Sequence, residues 1–471
     1  MIKTRFKTCS VSSVSLSLAF QSSQVLISSQ PFANWVFAAS RRNIGCATTW
    51  TSVRTRNYRT TARKDNCSDR SRMTYDSEKA VAISAVRRAC GLTSSVFNRL
   101  VQGEKLVKGD KSPVTVGDFS AQALISTILH NVFPEDPIVG EEDASDLRHD
   151  TPEATLLRER VVSLANEALT APLIPLFPSS DGEAVIEDAS WGIGPSHHQS
   201  PTQLLDAIDR GNHEGGRKGR MWCIDPIDGT KGFLRGEQYA VCLALIVDGE
   251  VKVGVIGCPN LPVGEEGGSK GCISYAVRGE GAWQIPFVSD SNSSAPKPTR
   301  ISITPSSSST AAGPSAIVFL ESVESAHSSH STASRIADVL RAGSGGVDVS
   351  EPIRMDSQAK YCVLARGRYD SPTSTSTQPN LVYLRLPTTG LGPSATYIEK
   401  IWDHAPGSLL IEEAGGVVTD SRGEKLDFGL GRTLGDNWGV VAAGKDVHGK
   451  VLGGVKRVLF GDSEGNEKAR V

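Results

Sequence analysis

With 471 residues, 39% of them hydrophobic, the chain has material for a large core and for two or three domains of ordinary size. Its formal net charge of −2 conceals two opposed segments: residues 1–72 hold twelve Lys and Arg against only Asp65 and Asp69, a charge of +10, and the remainder carries −12. That acidic body argues against a nucleic-acid-binding module, which needs a positive surface for the phosphate backbone.

The leader is rich in Arg and Ser, poor in acids, and scattered with Leu16, Leu18, Phe20, Val25, Leu26, Trp35 and Phe37. It reads either as a mitochondrial transit peptide or as an extension upstream of a working start at Met73, which would leave the protein cytoplasmic. Ser and Gln interrupt its apolar stretch too often for a membrane span. Nine cysteines, an odd number without a Cys-x-x-Cys pair, suit reduced intracellular thiols and do not indicate zinc.

From 74 to about 100, Val81, Val86, Ala89, Leu92, Val96 and Leu100 recur at helical spacing. Lys108 to Gly117 reads as a polar turn and a short extended piece, after which Asp118 is placed to cap a helix over 119–132. Pro137-Ile138-Val139-Gly140-Glu141 looks like a buried strand ending in acids. Residues 152–170 have helical periodicity, and 171–201, rich in Pro, Ser and Gly, reads as an exposed loop.

A short helix around 204–208 leads through the glycine-rich stretch 211–220 into Trp222-Cys223-Ile224-Asp225-Pro226-Ile227-Asp228-Gly229-Thr230. Beyond it, 239–247 and 251–257 form a hairpin turning at Asp248-Gly249, and 273–277 and 282–285 form another. The Ser/Pro-rich tract 286–315 has no periodicity and reads as a linker between a part over 73–285 and a part over 316–471.

The second part runs as a strand at 316–320, a helix near 332–341, a strand at 353–355 and a helix that Asp356 would cap. After a Ser/Thr/Pro insert at 368–380 come a strand at 381–386, a helix opening near Asp403, a strand at 417–420, and a final strand and helix at 438–443 and 447–459. Pro406 is tolerated because it falls in a first helical turn. The first part thus reads as α+β with an antiparallel sheet, the second as an α/β layer.

The chemistry concentrates at 225–230. Pro226 stiffens the turn, so Asp225 and Asp228 can face one point, while Gly229 permits close approach and Thr230 adds a hydroxyl. Oxygen-only ligands suit Mg²⁺, although a solvated Asp-Pro turn would have the same residues. Asp118, Glu141 and Asp403 likewise fall where regular elements begin or end, which is where sites are usually built. Asp118 has an ordinary alternative as a helix cap, and Glu141 as a surface-loop acid.

Taken together, Gly140-Glu141-Glu142, Asp225 to Thr230, and Trp402-Asp403 followed by Gly415-Gly416 resemble the lithium-sensitive, magnesium-dependent phosphomonoesterase superfamily. Within it, Ser112 to Asp118, Asn212 to Gly219, Lys231 to Gln238, His327 to His330, Asp356 to Tyr361 and Tyr383 to Pro387 resemble the 3′(2′),5′-bisphosphate nucleotidases. The resemblance implies a layered α-β-α-β-α sandwich of two domains, and two or three Mg²⁺ ions held by Glu141, Asp225, the carbonyl of Ile227, Asp228 and Asp403. Asp118 and Thr230 would activate the attacking water. Thr230, His327, Ser357, Lys360, Arg385 and Asp403 would contact the nucleotide, with Lys360 and Arg385 as cations for a second phosphate.

It further implies hydrolysis of adenosine 3′,5′-bisphosphate to AMP, action on 3′-phosphoadenylyl sulfate, and a role in sulfate assimilation and salt tolerance. A monomer is expected, with neither membrane nor nucleic acid as partner. An inositol monophosphatase and a non-catalytic nucleotide sensor on the same fold are the alternatives.

Overall fold

The computed structural model of the chain describes residues 74–101, 113–179, 182–264, 269–287, 295–303, 316–324, 329–343, 346–367, 379–386 and 397–461. The leader, the turn at 108–112, His327, most of the tract 286–315 and residues 368–378 of the insert lie outside these. Residues 72–471 form one compact unit.

Two sheets organise it. The larger has seven strands, β1 (Ile138–Gly140), β4 (Arg220–Asp228), β5 (Ala240–Val247), β6 (Glu250–Pro262), β7 (Lys270–Val277), β8 (Gly281–Pro286) and β9 (Thr299–Ile301), adjacent in that order. Only β1 and β4 run parallel within it; the other neighbours are antiparallel. The smaller sheet has the order β11 (Ile353–Arg354), β10 (Ile317–Glu321), β12 (Asn380–Arg385), β14 (Val440–Gly444) and β13 (Gly416–Thr419), with β10 parallel to both of its neighbours.

Side chains on a strand alternate between faces, and both sheets use both faces. In β4, Trp222 and Ile224 join the core under α1 (Asp76–Val101), α2 (Pro113–Val132) and α3 (Pro152–Thr170), while Met221 and Cys223 join a second core. That second core also takes Val318 and Leu320 of β10, and it holds α7 (Ala359–Arg366) and α8 (Ala405–Glu413). Ile317 and Phe319 turn the other way, to α6 (His330–Ala342) and α9 (Lys445–Phe460). The layers are therefore α-β-α-β-α, as the resemblance implied. Among the described residues, no helix is long and apolar enough to cross a membrane.

Close approaches fix the middle layer. A Cβ on Gly254 of β6 would stand 2.9 Å from Pro406 Cα, and one on Gly407 would stand 2.2 Å from the Tyr361 ring. Pro406 occupies the first turn of α8, as expected. The turn Asp248-Gly249 between β5 and β6 has φ of 52° and 79°, the left-handed pair that a tight hairpin requires.

The structure departs from the sequence expectations at four places. Helix α2 begins at Pro113, so Asp118 lies inside the helix and is not its cap; proline at a first helical position loses no hydrogen bond, and the valines that read as extended are overridden by tertiary packing. The expected exposed loop 171–201 contains the hairpin β2 (Pro175–Pro178) and β3 (Ala184–Ile186), anchored by buried Leu176 and Phe177. Within the expected linker, β9 extends the larger sheet. Finally, α7 is entered through Gln358 without a side-chain cap, because Asp356 pairs instead with Arg235.

One buried ion pair ties the hairpin segment to α1. Arg88 pairs with Glu187, and the same carboxylate accepts from Ser84 Oγ at 2.6 Å and Ile174 N at 3.0 Å. Replacing Arg88 by Ala leaves Glu187 buried with too few donors, so Arg88→Ala should destabilise the protein by about 3–5 kcal/mol in urea denaturation. A loss below about 1 kcal/mol, the scale of a surface pair, would contradict this role.

Candidate active site

Elements of both sheets line one cleft of about 290 Å³. Its walls include Glu141, Asp225, Ile227, Asp228, Thr230, Ser357, Lys360, Arg385 and Asp403, together with Tyr383 and Tyr397. Asp118 is buried on α2 near this group: the charges of Glu142 and Glu141 act on it, and its own acts on Asp225. All the expected site residues except His327 are therefore described, and they converge.

The backbone explains the convergence at 225–228. Two residues three apart on a regular strand point to opposite faces. In β4, however, Asp225 stands opposite Cys242 and Asp228 opposite Ala240, so three steps on one strand match two on the other. This bulge restores the phase and brings both carboxylates to the cleft. Thr230, the first residue of α5 (Thr230–Arg235), donates its hydroxyl to the Ile227 carbonyl at 3.4 Å.

Gly229 has a φ of 86°, and a Cβ there would lie 2.8 Å from Ser357 Cβ. Ser357 itself has a φ of 65°, a conformation that costs a non-glycine residue roughly 1–3 kcal/mol and tends to occur at functional sites. The turn it makes aims Gln358 N at Asp228 Oδ2, 2.5 Å away. It also directs the carbonyls of Met355 and Ser357 to Lys360 Nζ, each at 2.8 Å, which occupies two of the three ammonium protons.

Glu141 is aimed from α2. Gln122, one helical turn beyond Asp118, donates to the carbonyls of Glu142 and Ile208 and accepts from Glu142 N at 3.0 Å. Gly140 leaves room for that amide, since a Cβ would come within 2.6 Å of Gln122 Oε1.

Four contributors escaped the sequence expectations. Glu399 accepts from Arg385 Nε at 2.9 Å and pairs with Nη2 at 2.9 Å, a two-point grip on the guanidinium. His404 Nε2 stands 3.0 Å from Glu399, and its Nδ1 is 2.9 Å from the Tyr361 hydroxyl. Tyr397 donates to Asp403 Oδ2 at 3.3 Å, and Arg385 Cζ lies 5.9 Å from its ring centre. The sequence signal for Glu399 and Tyr397 was their place just ahead of Asp403; His404 and Tyr361 carry no signal apart from their partners.

Charges inside the cleft oppose one another. Burial, and then Glu142 and Glu141, hold the Asp118 carboxyl well above the usual range. Burial does the same to Asp225, reinforced by Glu141, Asp228 and Asp403. Glu141 keeps surface open to solvent, yet desolvation by its surroundings, followed by Asp403, also raises it. Burial and Asp403 push Asp228 up to about 6 against the pull of Lys360. Burial lowers Lys360 to about 8. Burial would raise Glu399, but Arg385 and His404 outweigh it and hold that carboxyl at about 2.

The donor set fits a hard divalent cation. Asp225 Oδ1 is buried without a hydrogen-bond partner, and the neighbouring ligands are carboxylate and carbonyl oxygens. Glu399, Asp403 and His404 also present ligand atoms within 4.8 Å of one another. Glu399 is already engaged by Arg385 and His404, so that trio suits an ion less well.

The sequence pattern of the inositol monophosphatase family matches residues 74–458. A 3′(2′),5′-bisphosphate nucleotidase of Schizosaccharomyces pombe is 43% identical over 387 residues, which cover 81% of this chain and 95% of that one. One from Emericella nidulans is 42% identical over 402 residues, 82% and 99% of the two chains, and one from Oryza sativa is 38% identical over 396, 82% and 95%. The chain therefore belongs to the inositol monophosphatase family, in its 3′(2′),5′-bisphosphate nucleotidase branch.

Proposed function

We propose that this chain is a Mg²⁺-dependent phosphatase that removes the 3′-phosphate of adenosine 3′,5′-bisphosphate, and that it acts in the same way on 3′-phosphoadenylyl sulfate. The observation that carries the reading is the pairing of opposite charges in one cleft: Glu141, Asp225, Asp228 and Asp403 lack enough countercharge, while Lys360 and Arg385 bring cations to the same space. A substrate with two phosphates uses both features. An inositol monophosphate has no second phosphate to meet Lys360 and Arg385. The names of the relatives support the same substrate class.

In this reading, Glu141, Asp225, Asp228, Asp403 and the Ile227 carbonyl hold two or three Mg²⁺ ions. When bound, Mg²⁺ neutralises phosphate charge and lowers the pKa of water. Thr230 Oγ1 orients the attacking water and the Asp118 carboxylate takes its proton. The water oxygen bonds to phosphorus as the bond to the ribose 3′ oxygen breaks; the departing 3′ oxygen takes a proton from solvent to become a hydroxyl, and Asp118 then returns its proton to solvent. After burial and Glu142, the Glu141 charge raises the proton affinity of Asp118, so neutralising Glu141 favours the ionised base. Lys360 and Arg385 bind the remaining phosphate, Ser357 and His327 complete the nucleotide contacts, and Glu399 keeps the Arg385 fork in plane.

Phosphate release by the full chain tests the proposal. We expect Mg²⁺-dependent turnover of adenosine 3′,5′-bisphosphate in preference to inositol 1-phosphate, with Asp118→Asn lowering kcat by about 10²–10⁴-fold and changing KM little. Turnover of inositol 1-phosphate alone, or none with either substrate, would overturn it. The pH profile provides a second check. Because Lys360 loses its proton near pH 8, kcat/KM for the bisphosphate should fall above that pH, and Lys360→Arg should extend the plateau upward. Superimposable profiles would remove Lys360 from phosphate binding.

A further inference from the structure

The stretch Asn212–Gly219 and the loop carrying Arg432 contribute nothing to the chemistry above, yet both lie at the edge of the larger sheet where Glu141 leaves it. β1 is the edge strand, three residues long, and the chain at 211–213 covers its outer side. Gly140 N donates to Gly211 O at 2.8 Å, His213 N to Ile138 O at 3.3 Å, and Asn212 bridges to Val139.

The Arg432 guanidinium crosses this edge. Nη1 donates to Gly211 O at 2.9 Å and His213 O at 3.0 Å, and Nη2 donates to Gly140 O at 2.5 Å. Its Cζ lies over the Trp402 ring, 4.9 Å from the ring centre. The Arg432 carbonyl accepts from Ile401 N at 3.1 Å, and Leu434 N donates to Glu399 O at 2.8 Å, so the segment preceding Asp403 is bound to the same loop. Gly215 brings the two loops together, since a Cβ there would lie 2.9 Å from the Gly431 carbonyl carbon.

One side chain thus holds the residue before Glu141 and the residue before Asp403. We propose that Arg432 is a positioning residue for the cation site, setting the separation of the Glu141 and Asp403 arms without lining the cleft itself. This inference rests on the cation-binding reading above. Guanidinium suits the task because it is planar, donates from a rigid fork and stacks on an aromatic face; an ammonium does none of these together. Mg²⁺ demands near-ideal octahedral geometry, so a loosened arm translates into lost affinity.

The test is a Mg²⁺ titration of nucleotide-free full chain, read as a shift in thermal unfolding, alongside circular dichroism and steady-state kinetics. Arg432→Gln and Arg432→Lys should raise the Mg²⁺ midpoint by about 10–100-fold, as supporting residues of metal sites do. At saturating Mg²⁺ their nucleotide KM should stay near that of the unmodified protein. Arg217→Ala, which removes an exposed ion pair with Asp427 in the same neighbourhood, should leave the midpoint unchanged. If Arg432→Gln fails to fold, Arg432→Lys decides, since it retains the charge and loses the fork. A folded variant with lowered thermal stability and an unaltered Mg²⁺ midpoint overturns the proposal. An unmodified protein that does not respond to Mg²⁺ overturns the cation reading itself and this inference with it.

Discussion

Repulsion among carboxylates is the constraint that the rest of the structure depends on. Burial is the largest cause that raises the proton affinity of Asp118, Glu141, Asp225 and Asp228, and neighbouring carboxylates add to it: Glu141 acts on Asp118 and Asp225, Asp228 on Glu141 and Asp225, and Asp403 on Glu141, Asp225 and Asp228. Left alone, such a group would protonate or move apart, because an uncompensated buried charge costs several kcal/mol. The chain holds it in place with rigid supports: a bulged strand, a helix that carries both Asp118 and the amide gripping Glu142, and a turn whose Ser357 occupies a sparsely populated conformation. Backbone donors do part of the compensation, as where Gln358 N meets Asp228. The remainder fits a cation.

The same cleft contains the opposite arrangement a few residues away. Lys360 is anchored by two carbonyls and Arg385 by the Glu399 carboxylate, so neither cation can swing across to neutralise the acids fully. Arg385 approaches Asp403 only to 3.9 Å. Behind Glu399, His404 and Tyr361 extend the chain of hydrogen bonds into the core that separates the two sheets. Acids and cations are thereby kept as distinct surfaces, which is what a ligand bearing two phosphates requires.

Much of this was legible in the sequence where the decisive residues are close together. Asp225 to Thr230 lies within six residues, and Glu141 and Asp403 each sit at an element boundary; spacing marked them as candidates, and the resemblance across the motifs assigned them to one site. The unbroken apolar run Ala316 to Leu320 read as a strand, and the structure buries such runs on both faces, there and at Met221 to Ile224. Features set by distant partners were not legible. Asp356 looked like a helix cap because its partner, Arg235, is far away in sequence. The hairpin at 175–186 was hidden by its Pro and Ser, because what secures it is distant in sequence: Arg88 of α1, which pairs with Glu187, and the core that buries Leu176. The bulge that brings Asp225 and Asp228 to one side depends on the register of β5, which no local pattern encodes.

The central claim is that the carboxylates at the ends of β1 and β4 and ahead of α8 form one cation site. Anomalous diffraction from crystals grown with Mn²⁺ and phosphate examines it most directly. The account predicts anomalous peaks bounded by Glu141, Asp225, the Ile227 carbonyl, Asp228 and Asp403, with Asp225 Oδ1 as a ligand. Peaks confined to Glu399, Asp403 and His404, or no peak in this cleft, would contradict it.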